Sequence, residues 1–69
     1  MGVIVMKPLH HMVITDNIRT WLKITKGEKY PVYRDELTRV AGDFEHQYLT
    51  VNDEGQYVWV PEHFVKLTP

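Results

Sequence analysis

The fold of this chain is decided by the stretch Gln56-Tyr-Val-Trp-Val-Pro-Glu-His-Phe-Val-Lys-Leu67. Two valines alternate there with Tyr57 and Trp59, so a strand has β-branched side chains on one face and large aromatic side chains on the other. Pro61 has no N–H to donate to a neighbouring strand, and the strand must therefore end there. The three residues after it suit a single tight turn, and Val65 and Leu67 resume the pairing pattern.

The composition limits both the fold and the classes of function. A chain of 69 residues forms one domain and buries only roughly 60% of the surface that its unfolded form exposes. It has no cysteine, so neither a disulfide framework nor a thiolate metal site supplements the core. The net charge of −1 gives no general attraction to nucleic acid or anionic membranes. The longest apolar run is far below the ~20 residues that span a bilayer. We therefore expect a cytoplasmic protein.

The beginning of the chain predicts an extension followed by a short strand. Gly2 to Met6 is unbroken and rich in β-branched residues, which predicts either a buried strand or an extension that ends at Lys7-Pro8. His11 to Thr15 alternates weakly and then meets turn-forming residues, which predicts a second strand. We accordingly divide the chain into an N-terminal extension or strand, residues 1–10, and a barrel, residues 11–69.

The middle of the chain alternates about a glycine. In Leu22 to Tyr33 the apolar side chains before and after Gly27 fall on one side, and the glycine supplies the left-handed conformation that a turn needs. Pro31 predicts a free strand edge. The next segment, residues 35–45, is consistent with a helical turn capped by Asp35 or with an open loop, and we favour the loop.

A hairpin is predicted where Asn52-Asp-Glu-Gly55 connects two alternating runs. If Val51 pairs with Gln56, Leu49 lies opposite Val58 on an aliphatic core face, and Tyr48 lies opposite Trp59 on an aromatic face. Thr50 then lies opposite Tyr57 on that aromatic face. This parity predicts a core made of Leu22, Ile24, Val32, Leu49, Val51, Val58, Val60 and Val65.

Two segments resemble SH3 domains and the wider SH3-like barrels of bacterial and phage proteins. Leu22-Lys-Ile-Thr-Lys-Gly-Glu is similar to that family's Leu-x-Phe-x-x-Gly-Glu, and Val58-Trp-Val-Pro-Glu-His-Phe-Val65 is similar to its Gly-Tyr-Ile-Pro-Ser-Asn-Tyr-Val. The resemblance implies an all-β, five-stranded SH3-like barrel with a 3₁₀ turn before the last strand and an N-terminal extension strand. The family's Ala-Leu-Tyr-Asp-Tyr segment, acidic loop and Trp-Trp pair are missing, which argues against recognition of proline-rich peptides.

The resemblance also implies which residues bind a partner. Trp59, Pro61 and Phe64 match the family's groove-lining tyrosine, proline and tyrosine, and His63 stands where the family has an asparagine. With the hairpin register, these positions predict one exposed aromatic surface. Its predicted partner-binding residues are Trp21, Tyr48, Trp59, Pro61, His63 and Phe64.

The most plausible function from sequence is a non-enzymatic protein-binding or adaptor module without a cofactor. The resemblance extends this to a phage or mobile-element protein that engages a host protein. The chain has no glycine-rich phosphate loop and no serine or cysteine nucleophile, and its four histidines have no zinc-site spacing, so we expect neither catalysis nor a metal site.

Two other functions remain open. A nucleic-acid-binding barrel is suggested by the basic residues Lys23, Lys26, Lys29, Arg34 and Arg39, although interleaved acidic residues largely cancel their charge. A subunit that self-associates through Gly2 to Met6 is the other alternative.

Overall fold

The computed structural model describes residues 7–16 and 19–68, and they form an all-β structure. The strands are β1 (His10–Ile14), β2 (Lys29–Val32), β3 (Arg34–Val40), β4 (Asp43–Val51), β5 (Tyr57–Pro61) and β6 (Val65–Thr68). Single 3₁₀ turns lie at Thr20–Leu22 and Glu62–Phe64. The predicted strand at Gly2 to Met6 lies outside the described residues.

The strands form two antiparallel sheets of three strands each, in the orders β2-β1-β6 and β3-β4-β5. The all-β class and the 3₁₀ turn before the last strand are confirmed. The described residues contain six strands rather than five, because the chain from β2 to β3 passes from one sheet to the other with a single residue, Tyr33, between them. As the edge of its sheet, β2 also accommodates Pro31, as predicted.

The expected loop at residues 35–45 is instead most of a long hairpin, so that prediction is wrong. β3 pairs with β4 from Arg34 opposite Leu49 to Val40 opposite Asp43. Ala41 and Gly42 form a two-residue connection in which both residues have positive φ, 51° and 89°. This backbone matches the twist of paired strands, but alanine at such a position is unfavourable and gives no hairpin signal in sequence.

The predicted register of the β4–β5 hairpin is wrong by one residue. In the structure Tyr48 lies opposite Val60, Leu49 opposite Trp59, and Val51 opposite Tyr57. Because strand side chains alternate with a period of two, a shift of one residue exchanges the faces of a strand relative to its partner. Tyr48 is therefore a core residue, with 5% of its surface exposed, and Leu49 is half-buried on the other side of the sheet.

Asn52 is the physical reason for this shift. Its buried side-chain oxygen accepts hydrogen bonds from the backbone N–H groups of Glu54 (3.0 Å) and Gln56 (2.9 Å), and its backbone N–H donates to the Gln56 carbonyl (2.8 Å). The connection therefore includes Gln56 as well as the four residues predicted. The extra residue moves each residue of β5 one place along β4.

The core fills the space between the two sheets and takes residues from both. Burial of Leu22, Ile24, Val32 and Val60 is confirmed. The other predicted core residues are half-buried: Val58 and Val65 pack against the core, whereas Leu49 and Val51 lie on the other side of the β3-β4-β5 sheet. Each large apolar side chain that is fully buried contributes about 1.5–3 kcal/mol. The buried hydrophobic residues are Met12, Ile14, Leu22, Ile24, Tyr30, Val32, Tyr48, Val60 and Phe64.

Candidate functional site

The six residues predicted to form one partner-binding surface lie in different environments. Tyr48, Pro61 and Phe64 are buried, which corrects the prediction that they face outward. Trp59 is half-buried, and Trp21 and His63 are exposed. A binding role for these three residues stays a prediction.

Phe64 points inward because the 3₁₀ turn that carries it is held by the chain after β1. The backbone N–H groups of Thr15 and Asp16 both donate to the Phe64 carbonyl, at 2.8 and 3.2 Å. The Arg19 guanidinium lies 5.2 Å from the centroid of the Phe64 ring, within the range of a cation–π contact. Phe64 therefore fastens the turn to the core, and its aromatic surface is not free for a partner.

The corrected register creates a different aromatic surface, on the side of the β3-β4-β5 sheet that faces away from the core. We call it the outer aromatic face, and it consists of Tyr33, Leu49, Val51, Tyr57 and Trp59. Opposite pairs in β4 and β5 bring together Leu49 with Trp59 and Val51 with Tyr57. Tyr33 joins them through an edge-to-face contact with Tyr57, with ring centroids 6.0 Å apart.

The side chains of the outer aromatic face are accessible to a partner, and buried residues on the inner side of the same strands support them. Tyr57 has 58% of its surface exposed, and the other four residues are half-buried. The inner side of the same two strands carries the fully buried Thr50 and Val60. Aromatic side chains held in this way lose little conformational entropy when a partner covers them.

Polar and charged side chains border this face. Arg34 lies opposite Leu49 on β3, and its guanidinium is 4.0 Å from the Glu36 carboxylate. Beyond Pro61, the His63 Nδ1 lies 2.7 Å from the Glu45 carboxylate. An apolar centre with a polar rim that carries both charges is typical of protein interfaces.

The alternation of Tyr57 and Trp59 in sequence predicts part of this face but not the residues that complete it. Leu49 and Val51 were assigned to the core because the one-residue shift of register was not predicted. The Tyr33 side chain, which completes the face from the residue between β2 and β3, is half-buried. The signal that could have identified the face is the asparagine at the start of the connection, since Asn favours turns closed by its own side chain.

A polar network joins the β4–β5 connection to β2 and to the residues just before it. The Tyr30 hydroxyl and the Thr25 hydroxyl each donate a hydrogen bond of 2.6 Å to the Asp53 carboxylate. These two bonds lower the pKa of Asp53, and burial together with the bond to Asp53 raises the pKa of Tyr30. The Tyr30 oxygen also accepts from the Thr25 N–H at 2.8 Å. Because these hydrogen bonds join Thr25, Tyr30 and Asp53 to one another, we assign the network a structural role.

The same connection positions Trp21. The Asn52 side-chain amide donates to the Leu22 carbonyl at 2.9 Å, and the Asp53 N–H donates to the Lys23 carbonyl at 2.9 Å. These bonds hold the 3₁₀ turn Thr20–Leu22 against the β4–β5 connection. Trp21, in the middle of that turn, remains 69% exposed.

Two of the basic residues that favoured nucleic acid do not share a face. Arg34 and Arg39 both lie on β3, but they are an odd number of residues apart and therefore point to opposite sides of the sheet. Within residues 7–16 and 19–68, no three His, Cys, Asp or Glu side chains are grouped as a metal site would require. His46 and His63 instead each contact a separate carboxylate, of Asp35 and Glu45.

A comparison with known protein families, curated proteins and solved structures finds no significant match to this chain. In the part of the chain that the structure describes, no helix has the length and apolar character needed to cross a membrane.

Proposed function

We propose that this chain is a cytoplasmic, non-enzymatic protein-binding module that engages a protein or peptide partner through the outer aromatic face. The observation that carries the proposal is the group of Tyr33, Tyr57 and Trp59 with two aliphatic residues on one open side of a sheet. A rigid aromatic centre inside a polar rim is the arrangement in which binding energy concentrates at protein interfaces.

We further propose that the fold is an SH3-like barrel. Two features support this: Pro61 ends β5 directly before a 3₁₀ turn and a short last strand, and Gly27 has the positive φ that the similar turn of the family uses. Burial of Pro61 and Phe64 supports a partner bound on the sheet face rather than a proline-rich peptide in the family's groove. The suggestion of a phage or mobile-element protein with a host partner comes from the family resemblance.

Binding to a protein is favoured over binding to nucleic acid by the charges at the site. Arg34 borders the outer aromatic face beside an acid, Glu36, and the net charge of the chain is −1. Nucleic-acid affinity depends strongly on contacts between basic residues and phosphates. Any binding to DNA or RNA should therefore be weak and should disappear at moderate salt.

The test is capture of partners from cell lysate on the immobilised protein, with identification by mass spectrometry and measurement of the affinity of the purified partner. Trp59→Ala should weaken binding by about 2 kcal/mol or more, because it removes the centre of the face. Tyr57→Ala should also weaken binding, and since Tyr57 is 58% exposed this variant keeps the barrel folded. Trp21→Ala is the matched control, because it removes another exposed aromatic side chain, 69% exposed, that lies outside the face.

Two results would contradict the proposal. If Trp21→Ala loses the partner while Tyr57→Ala keeps full affinity, the site lies at the 3₁₀ turn. If the protein instead binds DNA or RNA at submicromolar concentration in physiological salt, the nucleic-acid alternative is correct.

A further inference from the structure

β3 forms one edge of its sheet, and its outer edge has no strand partner among the described residues. Its residues from 34 to 39 are all exposed. An edge strand of this length presents a row of backbone N–H and C=O groups that can pair with another strand. The structure therefore leaves open a pairing site that is separate from the outer aromatic face.

The distal part of the β3–β4 hairpin extends beyond β5. β5 pairs with β4 only from Gln47 to Val51, so residues 43–46 of β4 have β3 as their only strand neighbour within the described chain. The core side of this extension carries two exposed apolar residues, Leu37 and Phe44, which are 57% and 65% exposed. A ribbon of two strands is only marginally stable in water and gains from a third strand.

We propose that β3 pairs antiparallel with β3 of a second copy of this chain, about a two-fold axis at Leu37. In this register Leu37 lies opposite its own counterpart, and Asp35 lies opposite Arg39 of the other copy. Symmetry repeats the Asp35–Arg39 pair on the far side of the axis. All of these side chains share the face of the exposed Phe44, since Arg39 lies opposite Phe44 within each chain.

The order of charged residues along β3 favours a second copy of this chain as the partner and favours antiparallel pairing. In antiparallel self-pairing, both acid–base pairs fall directly opposite each other, which stabilises a sheet. In a parallel pairing in register, each charge would instead face the same charge, which is destabilising. The strand thus matches a two-fold copy of itself, and the result is one continuous sheet of six strands, β5-β4-β3 and then the same three strands of the second copy in reverse order.

Sedimentation velocity of the full chain over a range of concentrations tests this proposal. We expect a reversible monomer–dimer equilibrium in the native protein. Arg39→Glu should raise the dissociation constant by about tenfold or more, because it places an acid opposite Asp35 of the other copy. Lys66→Glu changes the net charge equally on the other sheet and should leave the equilibrium unchanged.

A charge exchange makes the test specific. Asp35→Arg alone should weaken the dimer, and Asp35→Arg combined with Arg39→Asp should restore it, because each pair is then re-formed with the charges reversed. The proposal is overturned if the chain stays monomeric at every concentration or if the charge exchange does not restore a weakened dimer. It is also overturned if deletion of residues 2–6 abolishes association, since the dimer would then depend on that segment.

Discussion

The two connections of the β3-β4-β5 sheet are built in contrasting ways. The β4–β5 connection is tied to the segment between β1 and β2 and to β2 by Asn52 and Asp53, which bond to the Leu22 carbonyl and to the side chains of Thr25 and Tyr30. No described residue outside the β3–β4 hairpin forms a hydrogen bond with Ala41 or Gly42, and this connection depends on its backbone conformation. Two connections of one sheet can thus carry unequal shares of the stability.

The largest effect is expected for Asn52→Ala. This change leaves the Glu54 and Gln56 N–H groups and the Leu22 carbonyl without their partner, and it should lower the free energy of unfolding by about 2–4 kcal/mol. Urea denaturation followed by tryptophan fluorescence measures the loss. Gln56→Ala is the control, since that exposed side chain makes a single long contact of 3.4 Å with Asn52. Equal losses in the two variants would contradict the central role of Asn52.

A smaller and more local effect is expected for Gly42→Ala. Gly42 has φ of 89°, where a side chain costs about 1–2 kcal/mol. Because the distal hairpin makes few contacts with the core, the loss should appear as faster amide hydrogen exchange in residues 38–45. Exchange in β1 should remain unchanged. Equal acceleration in both places would show that the hairpin and the core unfold together.

The smallest effect concerns pH and the Asp53 network. The pKa of Asp53 lies below its ordinary value of 3.8 in the folded chain, because Thr25 and Tyr30 donate to the carboxylate. Its stabilisation is therefore present above that value and is lost as the pH falls through the lower, folded pKa. The difference in stability between the native chain and Asp53→Asn should shrink as the pH falls below about 4. A constant difference from neutral pH to acid would mean that the charge of Asp53 does not contribute.

Prediction from sequence succeeded where a single residue has a strong local preference. Pro61 ends its strand, Gly27 adopts a positive φ, and Leu22 and Ile24 are buried, as their positions in sequence indicated. Such features depend on neighbouring residues alone. The all-β class could be predicted for the same reason.

Prediction failed where the length of a connection is set by a side-chain hydrogen bond. The Asn52 side-chain oxygen accepts from the Gln56 N–H, and this bond adds Gln56 to the four residues of the predicted connection. The resulting shift moved Tyr48 into the core and Leu49 out of it, and it changed the composition of the candidate site. The β3–β4 hairpin was missed because its strands lack apolar alternation and its turn carries Ala41 where asparagine is usual.

The pairing of β1 with β6 has a consequence for the order in which the chain folds. His11 lies opposite Thr68, so this sheet joins the two ends of the described chain, whereas β3, β4 and β5 pair only with their neighbours in sequence. Bringing distant segments together costs more loop entropy than closing a hairpin. The three consecutive strands can thus assemble early, and the β2-β1-β6 sheet is completed when the last strand reaches the first.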